Sequence, residues 1–96
     1  MRIHQLKLLV AIVDSETMSD AALSANLSTS AVSLQMKKLA QELKTELFFR
    51  SGNALLPTPA CRRLADQARE VIARFNVIEQ EFQAHKMKKS DEEPGR

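Results

Sequence analysis

The stretch from residue 28 to residue 43 constrains the fold more than any other part of the chain. Its apolar side chains recur in steps of four, three and four, at Val32, Met36, Leu39 and Leu43. This spacing predicts an amphipathic helix with a single apolar stripe. Ser28 stands just before the stripe, where its hydroxyl can accept a hydrogen bond from a free backbone N–H of the first turn. We therefore predict a helix over residues 29–43 that buries one side only.

The other side of this helix is small, hydroxylated and basic. It carries Thr29, Ser30, Ser33, Gln35, Lys37 and Lys38. Short hydroxyl side chains allow a helix to approach the floor of a DNA groove, and the positive end of the helix dipole favours phosphates. A polar face is also the ordinary property of a surface helix. The flanking segments must therefore distinguish a DNA-reading helix from a plain surface helix.

Two helices are predicted before this one. Apolar residues recur at helical spacing from Ile3 to Val13, which predicts a first helix over about residues 3–14. A second helix is predicted to begin near residues 17–19, because Thr17 and Asp20 form the acidic version of a capping box, with Ser19 as a competing cap. Only a short link separates this helix from the third. Two helices joined in this way are typical of a helix-turn-helix.

A β-hairpin is predicted directly after the third helix. Residues 47–50 and 54–56 are its strands, and Ser51-Gly52-Asn53 is its turn. A helix-turn-helix followed by a hairpin is a winged helix. The predicted fold class is therefore mainly α, a winged helix-turn-helix with a two-stranded wing and a long C-terminal dimerisation helix.

The last predicted helix carries a heptad seam. Thr58 can cap it, and Pro59 suits its first position because the missing N–H would be unpaired there. Steps of three and four residues connect Cys61, Leu64, Ala68, Val71, Phe75, Ile78 and Phe82. A helix that extends to Lys86 is about 42 Å long, more than a small domain can cover. The part from Val71 to Phe82 is expected to pack against a second chain, and a helix folded back on its own domain is the alternative. All seam residues except the cysteine are predicted to be dimerisation residues.

Length and charge support one small domain with a basic middle third. The 96 residues divide into a winged helix-turn-helix DNA-binding domain (1–58), a linker and dimerisation helix (59–86) and a charge-rich tail (87–96) that is expected to be disordered. Residues 29–64 carry six basic and two acidic side chains, a net charge of +4, whereas the whole chain has a formal net charge of +2. The basic excess coincides with the third helix and the wing.

Other classes of function have little support. Cys61 is the only cysteine, which excludes an intrachain disulfide and a zinc site made of cysteines, and no metal or cofactor is expected. The apolar run from Leu8 to Val13 is too short to span a membrane, so a cytoplasmic protein is expected. His4 and His85 are remote in sequence, and no glycine-rich phosphate loop is present, so an enzyme is not expected.

Taken in order, these segments resemble the N-terminal DNA-binding domain of LysR-type transcriptional regulators over residues 1 to about 85. The matching segments are Gln5–Val10, Ala21–Ser28, Ser30–Leu39, Leu47–Arg50 and Thr58–Ala60. The resemblance implies a homodimer joined through the long helix. It also implies an inverted-repeat site in double-stranded DNA, with the third helix in the major groove.

The resemblance also implies roles for single residues. Base contacts are expected from Thr29, Ser30, Ser33 and Leu34. Contacts to the DNA backbone are expected from Lys37, Lys38 and Arg50, and from the N-terminus of the second helix. Ser28 at the start of the helix and Asn53 in the wing complete the predicted DNA-binding set.

Several residues depart from the family's pattern, among them Ala40, which replaces a common glutamate, and Pro57, which replaces a common apolar residue. Leu34 stands where many relatives carry arginine, so a bidentate contact to guanine is lost, although leucine can touch a thymine methyl. Asn53 stands where the wing is often rich in arginine, which weakens a minor-groove contact. Cys61 replaces a common glycine, and we expect a packed residue rather than a redox sensor, because only Arg62 and Arg63 would lower its pKa.

Regulators of this family continue into an effector-binding domain of roughly 200 residues, whereas this sequence ends at Arg96. Two interpretations stay open: the chain is an excised domain, or it is a naturally short protein. A second function stays open as well. A short chain with the dimerisation helix can pair with a full-length family member and modulate it.

Overall fold

A computed structural model describes residues 1–15 and 17–92, and their side chains as far as Gln83. The elements are α1 (Ile3–Ser15), α2 (Met18–Ala25), α3 (Thr29–Leu43), β1 (Phe48–Ser51), β2 (Ala54–Pro57) and α4 (Pro59–Glu92). This order confirms the predicted mainly helical, winged helix-turn-helix fold. The bounds of α3 are those that the apolar spacing predicts.

Hydrogen bonds from capping residues fix where the two helices of the helix-turn-helix begin. Thr17 Oγ1 accepts a hydrogen bond from the backbone N–H of Asp20 at 3.1 Å, and Ser28 Oγ accepts one from Ala31 N–H at 3.1 Å. Both predicted caps are confirmed. α2 is followed by its C-cap Asn26, whose φ of 59° is left-handed, a conformation that asparagine tolerates better than most residues. The chain therefore turns sharply between α2 and α3.

The apolar stripe of α3 lies in the core. Val32, Met36 and Leu39 are buried and Leu43 is half-buried, as predicted. They pack with apolar side chains of α1, α2 and the first turns of α4. Burying this stripe fixes the rotation of α3 about its axis. The opposite, hydroxylated face is thereby turned to solvent.

The wing is an antiparallel pair in which Arg50 of β1 lies opposite Leu55 of β2. Gly52 forms the turn with a φ of 61°, a left-handed conformation that glycine adopts at little cost. β1 begins at Phe48, one residue later than predicted. The reason is that Leu47 is only 2% exposed and belongs to the core rather than to the wing.

Thr58 fixes where α4 begins. Its hydroxyl donates to the carbonyl oxygen of Glu46 at 2.7 Å and accepts a hydrogen bond from Cys61 N–H at 3.1 Å. The predicted cap is confirmed. Because the same hydroxyl bonds to the chain just before β1, it also ties the start of α4 to the start of the wing.

The first half of α4 packs antiparallel to α1. Arg69 Nη2 lies 2.6 Å from Asp14 Oδ1, and Lys7 Nζ lies 5.4 Å from the centre of the Phe75 ring. α1 is thus in contact with α4 as far as about Phe75. Ala68 is only 1% exposed within this single chain. The heptad spacing predicted Ala68 to lie in the contact between two chains, but its own domain covers it.

The second half of α4 extends away from the domain. Val71, Ile78 and Phe82 are 49%, 48% and 58% exposed, so this part of the seam is uncovered in the single chain. α4 is continuous and does not fold back. It also continues to Glu92, six residues beyond the predicted end, because no proline or glycine interrupts it before residue 94. Residues 93–96 of the predicted disordered tail lie outside the described part of the chain.

Candidate nucleic-acid interface

The exposed face of α3 is the starting point of the site. Thr29, Ser30 and Leu34 are exposed, and Ser33 is half-buried. Gln35 departs from the predicted polar face, because its Oε1 accepts a hydrogen bond from a side chain of α1, Gln5 Nε2, at 3.3 Å. The face that remains free lies on the side of α3 away from the core and extends from Thr29 to Lys38.

This face and the wing together form a concave surface of about 490 Å³, which we call the α3–wing surface. It is lined by Met18, Thr29, Ser30, Ser33, Leu34, Lys37, Arg50 and Leu55. Six of the nine predicted DNA-binding residues are brought together here. Five of them come from α3, and Arg50 reaches the surface from β1, across a gap of more than ten residues in sequence.

Three predicted DNA-binding residues do not line this surface. Ser28 is the N-cap of α3, and its hydroxyl oxygen already accepts the hydrogen bond from Ala31. Lys38 is exposed on α3, one position further round the helix than Lys37. Asn53 is exposed in the wing turn. These residues flank the α3–wing surface at three different places.

Two residues of the surface were not predicted. Met18 is half-buried at the first position of α2, and Leu55 is half-buried in β2. Adjacent strand residues point to opposite faces of a hairpin, so only one of Leu55 and Leu56 can face α3, and the sequence alone does not indicate which. Met18 lies at the N-terminus of α2, where the family resemblance implies a contact to the DNA backbone, although Met18 itself was not predicted. Its place on this surface depends on how α2 packs beside α3.

The electrostatic character of the surface is positive. Lys37 and Arg50 are among its eight lining residues, and none of the eight is acidic. Within the described side chains, no carboxylate lies within 4.0 Å of either cation. Both charges are thus available to an anion. A surface that combines cations with short hydroxyl side chains can bind phosphates and hydrogen-bond to base edges.

Cys61 has a structural environment. Its side chain is fully buried in the core at the start of α4. Burial raises the pKa of the thiol to about 11, against a smaller opposite effect of the neighbouring Arg62. The thiol is therefore protonated at neutral pH, whereas a reactive cysteine needs an accessible thiolate. This environment agrees with the packed role expected from the sequence.

Within the described part of the chain, no group of three or more His, Cys, Asp or Glu side chains could hold a metal ion. None of the described helices is both long enough and apolar enough to cross a bilayer.

Comparison with known sequences gives a consistent family. The model of the family described as bacterial regulatory helix-turn-helix protein, lysR family, matches residues 3–62. An uncharacterized HTH-type transcriptional regulator of Escherichia coli (strain K12), YbhD, is 30% identical over 74 residues, which are 77% of this chain and 23% of that protein. The chain therefore spans about a quarter of the length of this relative.

Comparison with solved structures gives the same fold. Full-length OxyR of Pseudomonas aeruginosa superimposes with a TM-score of 0.82 and 28% identity, over 88% of this chain and 28% of that one. The DNA-binding domain of CbnR, in a crystal structure with DNA, gives a TM-score of 0.79 and 25% identity over 88% of this chain and 98% of that one. The family match covers all three helices of the helix-turn-helix, the wing and the start of α4. This chain belongs to the lysR family of bacterial regulatory helix-turn-helix proteins and carries its DNA-binding domain.

Proposed function

We propose that this chain is a sequence-specific transcriptional regulator that binds an inverted repeat as a homodimer, with α3 in the major groove. The observation that carries the proposal is the α3–wing surface. It places the hydroxyl groups of α3 beside two cations that come from separate elements, Lys37 and Arg50. The crystal structure of the CbnR DNA-binding domain with DNA, at 25% identity, supports this use of the fold.

The cations and the hydroxyl residues have different tasks in this proposal. Lys37, Lys38 and Arg50 contact phosphates, because a positive charge on a flexible side chain is attracted to the backbone of any sequence. Thr29, Ser30, Ser33 and Leu34 face the base edges. Serine and threonine hydroxyls both donate and accept, so they can meet either kind of group on a base.

The ends of the recognition element contribute backbone contacts. The first turn of α3 presents free N–H groups and the positive end of the helix dipole, beside the cap at Ser28. Asn53 at the tip of the wing contacts the sugar-phosphate backbone or the adjacent minor groove. Its neutral side chain makes this contact weaker than an arginine would.

The homodimer forms through the exposed half of the seam. Val71, Ile78 and Phe82 lie one or two helical turns apart along α4, and each is about half exposed or more. Phe75 is half-buried beside Lys7 and lies at the edge of the same surface. Two α4 helices that pair along these residues bury apolar area that the small domain leaves in water. A two-fold dimer then presents two α3 helices to the two half-sites of an inverted repeat.

The first experiment is a selection of random duplex DNA with the purified chain, followed by affinity measurements at several salt concentrations. A selected sequence with two related half-sites is the expected result. If binding is sensitive to salt but no sequence is selected, the chain binds only the DNA backbone, which would contradict sequence-specific recognition. Absence of binding would overturn the proposal.

Two substitutions separate phosphate contacts from base contacts. Lys37→Ala should weaken binding to all sequences and reduce the slope of log K against log salt by about one. Ser33→Ala should instead relax the preference at one base position. Lys44→Asn is a matched control, because it removes a positive charge at the far end of the same helix, where the left-handed φ of 51° suits asparagine. Equal behaviour of the two test variants would contradict the division of tasks.

A second function is favoured by the same exposed seam. Val71, Ile78 and Phe82 can pair with the equivalent helix of a full-length family member as well as with a second copy of this chain. In that case the chain modulates its relative. The solution mass of the purified chain distinguishes the two functions, because a chain that is monomeric alone and binds no DNA alone contradicts the homodimer and favours pairing with a relative.

A further inference from the structure

Leu34 is an exposed leucine at the centre of the proposed DNA-binding surface. Its side chain is 52% exposed, although the apolar stripe of α3 is buried. At 100° per residue, Leu34 lies about 200° from both Val32 and Met36, on the opposite side of the helix. It therefore contributes little to the core. An apolar group in this position leaves about half of its surface in contact with water.

The neighbours of Leu34 make it the longest apolar group on this part of the helix. Ser30 lies one turn before it and Ser33 lies beside it, and both have short side chains. Lys37 lies one turn after it and has a flexible, charged end. If α3 approaches the floor of a groove, Leu34 meets the base edges together with these short hydroxyl groups.

The chemistry of the major groove restricts what a leucine can recognise there. Every base edge presents hydrogen-bond donors or acceptors, and thymine alone adds a methyl group, at C5. Leucine has no donor and no acceptor. Packed against guanine, adenine or cytosine, it would leave polar groups of the base without water and without a partner, which is unfavourable. When leucine packs against a thymine methyl, both the leucine side chain and the methyl group bury apolar surface, which is favourable.

We infer that Leu34 determines specificity by contacting the C5-methyl of one thymine in each half-site. This inference rests on the proposed function and goes beyond it, because it names the base and the atom that are read. Lys37 and Arg50 hold α3 against the backbone, and the hydroxyl groups around Leu34 adapt to the neighbouring base pairs.

Replacement of thymine by deoxyuridine tests the contact directly. Deoxyuridine keeps every hydrogen-bonding group of thymine and lacks only the methyl. In the selected duplex, each thymine is replaced in turn, and binding is measured at constant salt. We expect one position in each half-site where the replacement weakens binding about 4-fold, the effect of one buried methyl group, and about 15-fold when both half-sites are replaced.

The protein variant completes the test. Leu34→Ala should bind thymine and deoxyuridine duplexes with equal affinity at that position, while Leu56→Ala, a leucine on the outer face of the wing, should keep the full thymine preference. Leu34 is exposed and alanine is a better helix former, so the variant is expected to fold, which circular dichroism checks.

The failure of this inference differs from the failure of the proposed function. If a sequence is selected but no thymine is sensitive, or if Leu34→Ala keeps the full thymine preference, the methyl contact is wrong and the DNA-binding function stands. If no sequence is selected, sequence reading fails and the methyl contact is overturned with it.

Discussion

The substitution Phe82→Ala tests the proposed dimer, because Phe82 contributes the largest exposed side chain of the seam. It is 58% exposed in the single chain and lies beyond the reach of α1. Phe75→Asp also attacks the seam, but Phe75 is half-buried beside Lys7, so its loss disturbs the domain as well. Phe82→Ala therefore tests association of two chains without disturbing the fold of the domain.

The magnitude follows from the exposed area. A phenylalanine side chain of roughly 200 Å² that is 58% exposed leaves about 115 Å² to be covered by a partner. At about 25 cal/mol per Å², complete burial is worth about 3 kcal/mol for each protomer, or about 6 kcal/mol for a symmetric dimer. Because association recovers only part of such area terms, we expect the dissociation constant of the dimer to rise by about 100-fold or more, about 3 kcal/mol.

Sedimentation equilibrium over a wide range of protein concentration measures this constant. Phe49→Ala is the matched control, since Phe49 is 42% exposed on the outer face of the wing, far from the seam in the chain. It should leave the constant unchanged. A dissociation constant of Phe82→Ala within about 3-fold of the original would refute the assignment of the exposed seam to the dimer. So would a chain that stays monomeric before any substitution.

Three other substitutions have defined outcomes. Thr58→Ala should lower the free energy of unfolding in urea by about 1–2 kcal/mol, and Thr58→Ser should restore most of it, because the hydroxyl caps α4 and bonds to Glu46. Burial raises the pKa of Cys61 from 9.0 to about 11, so the thiol of the unfolded chain loses its proton at a lower pH than the thiol of the folded chain. The free energy of unfolding should therefore fall by about 2–3 kcal/mol between pH 9 and 11. Cys61→Ala should lack this pH dependence, and the same pH dependence in the variant would mean that other groups cause it. Leu34→Arg should change the preferred base from thymine to guanine, because arginine makes a bidentate contact to guanine, and a repeated selection that still returns thymine would contradict this.

Local features of the chain were well predicted from the sequence, and the reason is their short range. The caps at Thr17, Ser28 and Thr58 act on groups three residues away, so the sequence alone indicates them. The stripe of α3 follows from helical periodicity in the same way. Five of the six predicted DNA-binding residues of α3 came together on one surface because they share one face of that single helix.

Long-range features were predicted less well. The residues that follow Leu47 predict that it belongs to the first strand of the wing. It is instead buried in the core, because the wing begins close to α3. Ala68 fits the heptad, yet its own domain covers it, since α1 packs along the first half of α4. Met18 joins the α3–wing surface only through the packing of α2 beside α3. Each of these positions depends on a neighbour that is distant in sequence.

The sequence by itself determined the order of the elements, the ends of α2 and α3, and the polarity of the two faces of α3. Hydrogen bonds and side-chain spacing within a few residues are sufficient for these properties. Only the tertiary structure decided that Arg50 joins Lys37 on one surface, that Leu34 remains exposed there, and which half of the α4 seam is free. These properties depend on where α1 and the wing stop covering their neighbours, and that is set by how the elements pack rather than by the residues next to each site.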